Sequence, residues 1–188
     1  MASAFTHGFV ALALGSIWPA HPKPWRFWAL AVGSSILPDC DVIGFALGIQ
    51  YGDLLGHRGF THSLLFALLW SVAVMSFEFR ELPKLSKPWS NLLAFFVVVT
   101  ASHGVLDALT NGGLGVAFFS PFVPTRYFFD WHPVQVSPIS AAGFFSRWGG
   151  SVLLSEFKYI WLPMSFLWIG ACLWKRHFRF RHDRGLHS

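Results

Sequence analysis

Five apolar stretches, at roughly 4–18, 26–49, 62–79, 91–110 and 157–174, constrain this chain more than any other feature. A helix needs about 20 such residues to cross the hydrocarbon of a bilayer. The first and last stretches are short, and would span by local thinning or by snorkelling of flanking residues. The expected fold is all-α: a polytopic membrane helix bundle of about four to five helices with a broken second helix. Composition supports this. Charged residues make up 12% of the chain, about half the share in an average soluble protein. The formal charge of +5 would invite nucleic acid if it formed a stripe on a soluble fold. Here the basic residues sit between apolar runs, so no nucleic acid partner is expected.

The same basic residues set an orientation, because Lys and Arg near membrane segments are retained on the cytoplasmic side. Lys23 and Arg26 follow the first stretch, Arg80, Lys84 and Lys87 the third, and Lys175, Arg176, Arg179, Arg181 and Arg184 the fifth. The opposite side receives Arg58, Arg126, Arg147 and Lys158. The N-terminus is therefore expected outside and the tail in the cytoplasm. On this reading one membrane domain spans 1–188. It comprises a helical core at 1–113, an aromatic-rich outer segment at 114–156, the last membrane helix at 157–174 and a basic cytoplasmic tail at 175–188. Met1 to Val10 lacks the basic residues that open a cleaved secretory signal. Cys40 and Cys172 form no CxxC pair, so neither a disulfide framework nor a thiolate metal site is expected.

An ionisable side chain inside an apolar run costs several kcal/mol unless it is paired, hydrated or metal-bound, so each one needs a reason. Asp39 and Asp41 follow Pro38, which removes a backbone donor and disfavours helical geometry at Leu37. An extended turn there would put both carboxylates on one side. His57 and His62 bracket the next loop, with Thr61 or Ser63 placed to cap the third helix. In the fourth stretch His103 and Asp107 are four residues apart and share a helical face. Asp107 then serves either as a ligand or as the acceptor that orients His103. The turn residues Asn111, Gly112 and Gly113 end that helix.

With His7, these make seven candidates: His7, Asp39, Asp41, His57, His62, His103 and Asp107. In the five-segment topology all approach the same face. Imidazole and carboxylate without thiolate suit zinc, manganese or iron. The competing readings are individual: a packed His7, a hydrogen-bonded cap at Asp39 and Asp41, a solvated loop at His57, and a helix-joining pair at His103 and Asp107. His21, His177, His182 and His187 read as solvated or lipid-facing. His132, Arg126 and Arg147 belong to the aromatic outer segment, which could fold back over the site and meet an anionic substrate.

The strings Leu37-Pro38-Asp39-Cys40-Asp41, His57-Arg58-Gly59-Phe60-Thr61-His62-Ser63 and His103-Gly104-Val105-Leu106-Asp107 resemble the motifs of bacterial inner-membrane metal-dependent hydrolases. That family is also described as LexA-binding and membrane-associated. The likeness covers roughly residues 3–113, with Thr6-His7 fitting the family's N-terminal histidine. It implies a multi-pass protein of the bacterial inner membrane, one or two divalent ions, and hydrolysis by an acidified water molecule. Asp41, Arg58 and Asp107 are then the catalytic candidates, with Arg58 meeting negative charge on a phosphate or carboxylate. The substrate expected from location is a membrane lipid or a lipid-linked phosphoester. Two other readings stand beside it: a metal-binding or ion-transport protein, and a scaffold acting through its basic tail.

Overall fold

The fold is read from a computed structural model that describes residues 1–19 and 23–185, with side chains described through Lys175. The expectations for His21 and for the side chains of the basic tail fall outside the described residues. Helix α1 (Ala4–Ile17) starts at Ser3, whose hydroxyl caps the Thr6 amide. Its buried face carries Gly8, Ala11 and Gly15, spaced three and four apart. Small residues at that spacing let α2 (Trp25–Ile36) approach closely. A Cβ added to Gly15 would stand 2.7 Å from the Trp28 ring.

The α-helical part of the second helix breaks off at Ile36, just before Pro38, without an extended turn. The chain tightens into a 3₁₀ helix, Leu37–Leu47, which ends where Gly48 adopts φ 81°. The expected extended turn is thus corrected. Proline occupies the first turn of the new helix, where a missing N–H costs little. A 3₁₀ turn, Phe60–His62, then leads into α3 (Leu64–Glu78). Of the two expected caps, Ser63 does the work, accepting from the Phe66 amide at 3.0 Å. Helix α4 (Lys87–Ala108) stops just before the Asn-Gly-Gly turn. After a long loop come α5 (Ala141–Phe144), α6 (Arg147–Glu156), a π turn (Phe157–Trp161) and α7 (Leu162–Gly185). No strand occurs among the described residues, whose extended pieces meet only in isolated bridges at Thr110–Val134 and Val116–Tyr127.

Among the described residues, three spans are long and apolar enough to cross a membrane: Trp25–Leu47, Lys87–Ala108 and Arg147–Lys175. Helices α1 and α3 are apolar but shorter. The last span corrects the sequence reading, because it begins about ten residues before the apolar run at 157. Ser146, Gly149, Gly150 and Ser151 hide its first turns from hydropathy.

Helices α1, α2 and α4 pack mutually; α3 leans on α4 and α7 on α1. Phe27, Met75, Phe79, Phe95, Phe96 and Val99 fill the middle of this core. Helix α3 shows how the surface suits lipid. It turns Ala67, Ser71, Val74 and Met75 inward, while Leu64, Leu68, Leu69 and Val72 face outward. A helix apolar on both faces has lipid for its second solvent.

The two ends of the bundle differ. At one, Lys23 Nζ donates to the Gly15 and Trp18 carbonyls at 2.7 Å each, and Lys175 Nζ donates to Ile17 O. Two ammonium groups thus meet the negative end of the α1 dipole. Arg26 and Glu81 pair beside them. At the other end lie the first turns of α1, the 3₁₀ segments and the last turn of α4. Every candidate ligand is there.

Candidate metal centre

Four side chains from three parts of the fold converge: Asp39 from the long 3₁₀ helix, His62 from the short one, and His103 and Asp107 from α4. One ligand atom from each lies within 4.8 Å of all the others, and all four residues are buried. Asp41, His57 and His62 form a second such group. These groups could hold a metal ion. Gly104 is what lets α4 come this close, since a Cβ there would sit 2.9 Å from the His62 carbonyl oxygen.

The hydrogen bonds assign the tautomers. Nδ1 of His103 lies 2.7 Å from the Ser35 carbonyl oxygen. A carbonyl only accepts, so Nδ1 carries the proton and Nε2 presents a lone pair. His62 Nδ1 faces Thr61 Oγ1 at 3.1 Å and Asp41 Oδ2 at 3.2 Å, while the Thr61 hydroxyl donates to that same Asp41 oxygen at 2.7 Å. The proton of His62 therefore also sits on Nδ1. With both rings neutral, the two Nε2 atoms face each other 3.0 Å apart, lone pair toward lone pair. Asp39 Oδ1 stands 3.3 Å from one and 3.6 Å from the other without a proton to accept. A positive charge relieves that confrontation: a metal ion between the rings, or a second proton on His62, which the carboxylates of Asp107, Asp39 and Asp41 favour.

A census of orphaned atoms agrees. Among the described residues, the buried side-chain N and O atoms lacking a hydrogen-bond partner are both ring nitrogens of His7, both oxygens of Asp39, and Thr100 Oγ1. All but the last lie at this site. Buried polar groups are nearly always satisfied, so a cluster of exceptions marks a place for a ligand. The donor set, imidazole and carboxylate, fits a divalent ion such as zinc.

Each sequence candidate has a definite place. Asp39 and Asp41 do not share one side, because residues two apart on a 3₁₀ helix diverge by about 120°. Instead they address the two nitrogens of the His62 ring, Asp39 toward Nε2 and Asp41 toward Nδ1. Asp41 also accepts from His57 Nδ1 at 2.7 Å and from the Arg58 amide at 3.2 Å. His7 stacks on His103, with ring centroids 3.8 Å apart, and its Nε2 is 3.6 Å from Asp107 Oδ1. Asp107 makes no direct bond to His103. Its Oδ1 accepts from the Ala2 amide at 2.7 Å and its Oδ2 from Arg58 Nε at 3.1 Å.

Arg58 is fully buried and its backbone is left-handed, at φ 62°. Its other two guanidinium nitrogens donate to Gly112 O and Thr110 Oγ1, at 2.8 Å each. Arg126 is spent on carbonyls of the 51–57 loop, at His57, Tyr51 and Asp53. The outer segment does fold against the site, through bonds from Ala117 N to Arg58 O and from Leu64 N to Phe118 O. His132 stays exposed, bonded to Phe129 O. Sequence reasoning missed Thr61, the Ser35 carbonyl, the Ala2 amide and Glu156. Thr61 lies within the quoted motif and reads there only as a cap, while the other three carry no motif signal, two of them being backbone groups.

A cavity of about 440 Å³ opens beside the site, lined by Met1, Tyr51, His57, Gly113, Val136 and Trp148 among others. Burial raises the Tyr51 hydroxyl above its ordinary value, which keeps it a neutral donor there. A larger cavity, about 560 Å³, lies at the basic end around Arg26, Phe79 and Lys87, and no candidate ligand lines it.

A family model described as YdjM inner membrane protein matches residues 1–179. The chain belongs to the YdjM inner membrane protein family. An Escherichia coli (strain K12) protein, Inner membrane protein YbcI, is 35% identical over 179 residues, covering 94% of this chain and 99% of that one. No solved structure matches. The YdjM match supports an inner-membrane location, in keeping with the three long apolar spans. It also extends the family likeness well past residue 113, through the outer segment and into α7.

Proposed function

We propose that this protein is a membrane-embedded metal-dependent hydrolase acting on a lipid or lipid-linked phosphoester. The observation that carries the reading is the close gathering of the His62 and His103 Nε2 atoms, 3.0 Å apart, beside a buried Asp39 carboxylate with no hydrogen-bond partner. Asp39, His62, His103 and Asp107 would hold the ion. Zinc, the divalent ion these ligands suit best, would acidify a water molecule and polarise the bond to be cut. Asp41 and Thr61 fix the His62 ring, as Ser35 O fixes His103. His57, with Nδ1 held by Asp41, points to a base whose Nε2 is free to take a proton beside the cavity. Arg58 neutralises Asp107 and holds it in place, in preference to meeting substrate. His7, stacked on His103, contributes a further nitrogen at the edge of the site.

Clustering of the ligands at one end of the bundle favours hydrolysis over transport, since alternating access requires a site near the midplane. The basic residues gathered at the other end support an outer-face site, with the N-terminus outside and the tail in the cytoplasm. Metal stoichiometry in detergent-purified protein tests the reading. The parent is expected to retain a divalent ion, and His62→Ala and His103→Ala to lose it together with activity in a phosphoester and acyl-ester screen. Unchanged metal content in both variants would defeat the site.

A further inference from the structure

Glu156 is a fully buried carboxylate, 49 residues beyond the last candidate ligand. Both its oxygens are spent on one residue: Oε1 accepts from the Ser3 amide and Oε2 from the Ser3 hydroxyl, the latter at 2.6 Å. Ser3 caps α1, the helix that carries His7. Ala2, the next residue back, gives its amide to Asp107, and the Met1 carbonyl accepts from Ser137 N at 2.9 Å. Three successive N-terminal residues are thus tied to three distant parts of the chain, and the middle tie ends on a proposed ligand.

The π turn explains why the last helix can make this grip. Glu156 precedes it and Trp161 closes it. On an α-helix two residues five apart point about 140° away from each other. A turn closed from i to i+5 brings them back to one side. Both accordingly reach α1: Glu156 binds Ser3, and Trp161 Nε1 donates to Thr6 Oγ1 at 2.7 Å. Ile160, between them, is buried against Ala2, Val10 and Leu106.

From this geometry we infer that Glu156 is a positioning residue of the metal centre. Through Ser3 and Ala2 it holds Asp107 beside His62 and keeps His7 against His103. The inference rests on the metal-site reading. Replacement by leucine leaves the buried Ser3 N–H without an acceptor and its hydroxyl with only the long contact to Thr6 Oγ1 at 3.5 Å, and frees the segment. Replacement by glutamine keeps an acceptor for the amide and offers the hydroxyl a donor.

The test uses the full chain in detergent, with Co²⁺ as the probe, and reads two signals. In Glu156→Leu, Co²⁺ affinity is expected to fall by about ten- to a hundredfold, the range seen when an outer partner of a ligand is lost. The d–d absorption should change as well, which a general loss of stability would not produce. Glu156→Gln should restore the parental spectrum. In the metal-free protein, amide hydrogen exchange over residues 2–10 should speed up in the leucine variant and not in the glutamine one. Should Glu156→Leu fail to fold, Ser3→Ala removes one of the two bonds and is expected to shift both signals in the same direction. Parental exchange and parental spectrum in the disrupted variant overturn the proposal. If the parent took up no Co²⁺, the metal reading would fall, and the exchange signal would still decide whether Glu156 holds the N-terminal segment.

Discussion

At the scale of residues, the burden at this site is charge. Arg58 and Asp107 are both fully buried, and Arg58 holds a left-handed backbone to reach its partners. A non-glycine residue in that region costs on the order of 1–3 kcal/mol and persists only where its surroundings fix it. Those surroundings are on hand, since its carbonyl accepts from Ala117 N and its amide donates to Asp41. Cutting one partner of a buried pair leaves the other uncompensated, so Arg58→Met is expected to lower stability by about 3–5 kcal/mol. Arg58→Lys keeps the charge but not the fork that serves Asp107, Thr110 and Gly112 together, and should lose less. Denaturant unfolding of the two variants in detergent, compared with the parent, checks both. Which residues would gather was legible in the sequence, because aspartates and histidines stand out in apolar runs. How they divide was not. The split of Asp39 and Asp41 across the His62 ring depends on a change of helix type that leaves no mark beyond Pro38.

At the scale of elements, the centre needs α4 to lie against the 3₁₀ turn that carries His62, and Gly104 sets that distance. A methyl group would meet the His62 carbonyl at 2.9 Å, backbone against side chain, where neither can swing away. Gly104→Ala is therefore expected to displace His62 from His103 and weaken Co²⁺ binding about tenfold, by the loss of a well-placed ligand, while α4 itself gains helical propensity. A titration showing parental affinity with a raised melting temperature would contradict this. Most helices were legible from hydropathy, since α2, α3 and α4 carry little else. The start of the last span was not. Its first turns hold Arg147, Gly149, Gly150 and Ser151, and only packing of Val152 and Glu156 shows that they belong to the bundle.

At the scale of the molecule, the protein is polarised in space. Lys23, Lys175 and the Arg26–Glu81 pair stand at one end, buried carboxylates and imidazoles at the other. A reporter fused after Ser188 is expected to be active in the cytoplasm, as the basic end dictates. Recovery of its activity outside would invert the bundle and move the site to the inner face. The polarity was legible because it depends on the order of charges along the chain. The ties that close the fold were not, since Ser3 and Glu156 are 153 residues apart and nothing local announces their pairing.

Those ties set a schedule. The first helix is short, and both its ends are fastened by residues near the end of the chain: Ser3 by Glu156, and the Ile17 carbonyl by Lys175. A nascent chain leaving the ribosome has all seven candidate ligands once Asp107 is made, yet lacks the anchors that seat the helix bearing His7. On the proposed metal reading, ion loading would follow entry of the last helix into the bilayer, and a chain stalled before it would expose acidic and imidazole groups with no cation to quiet them.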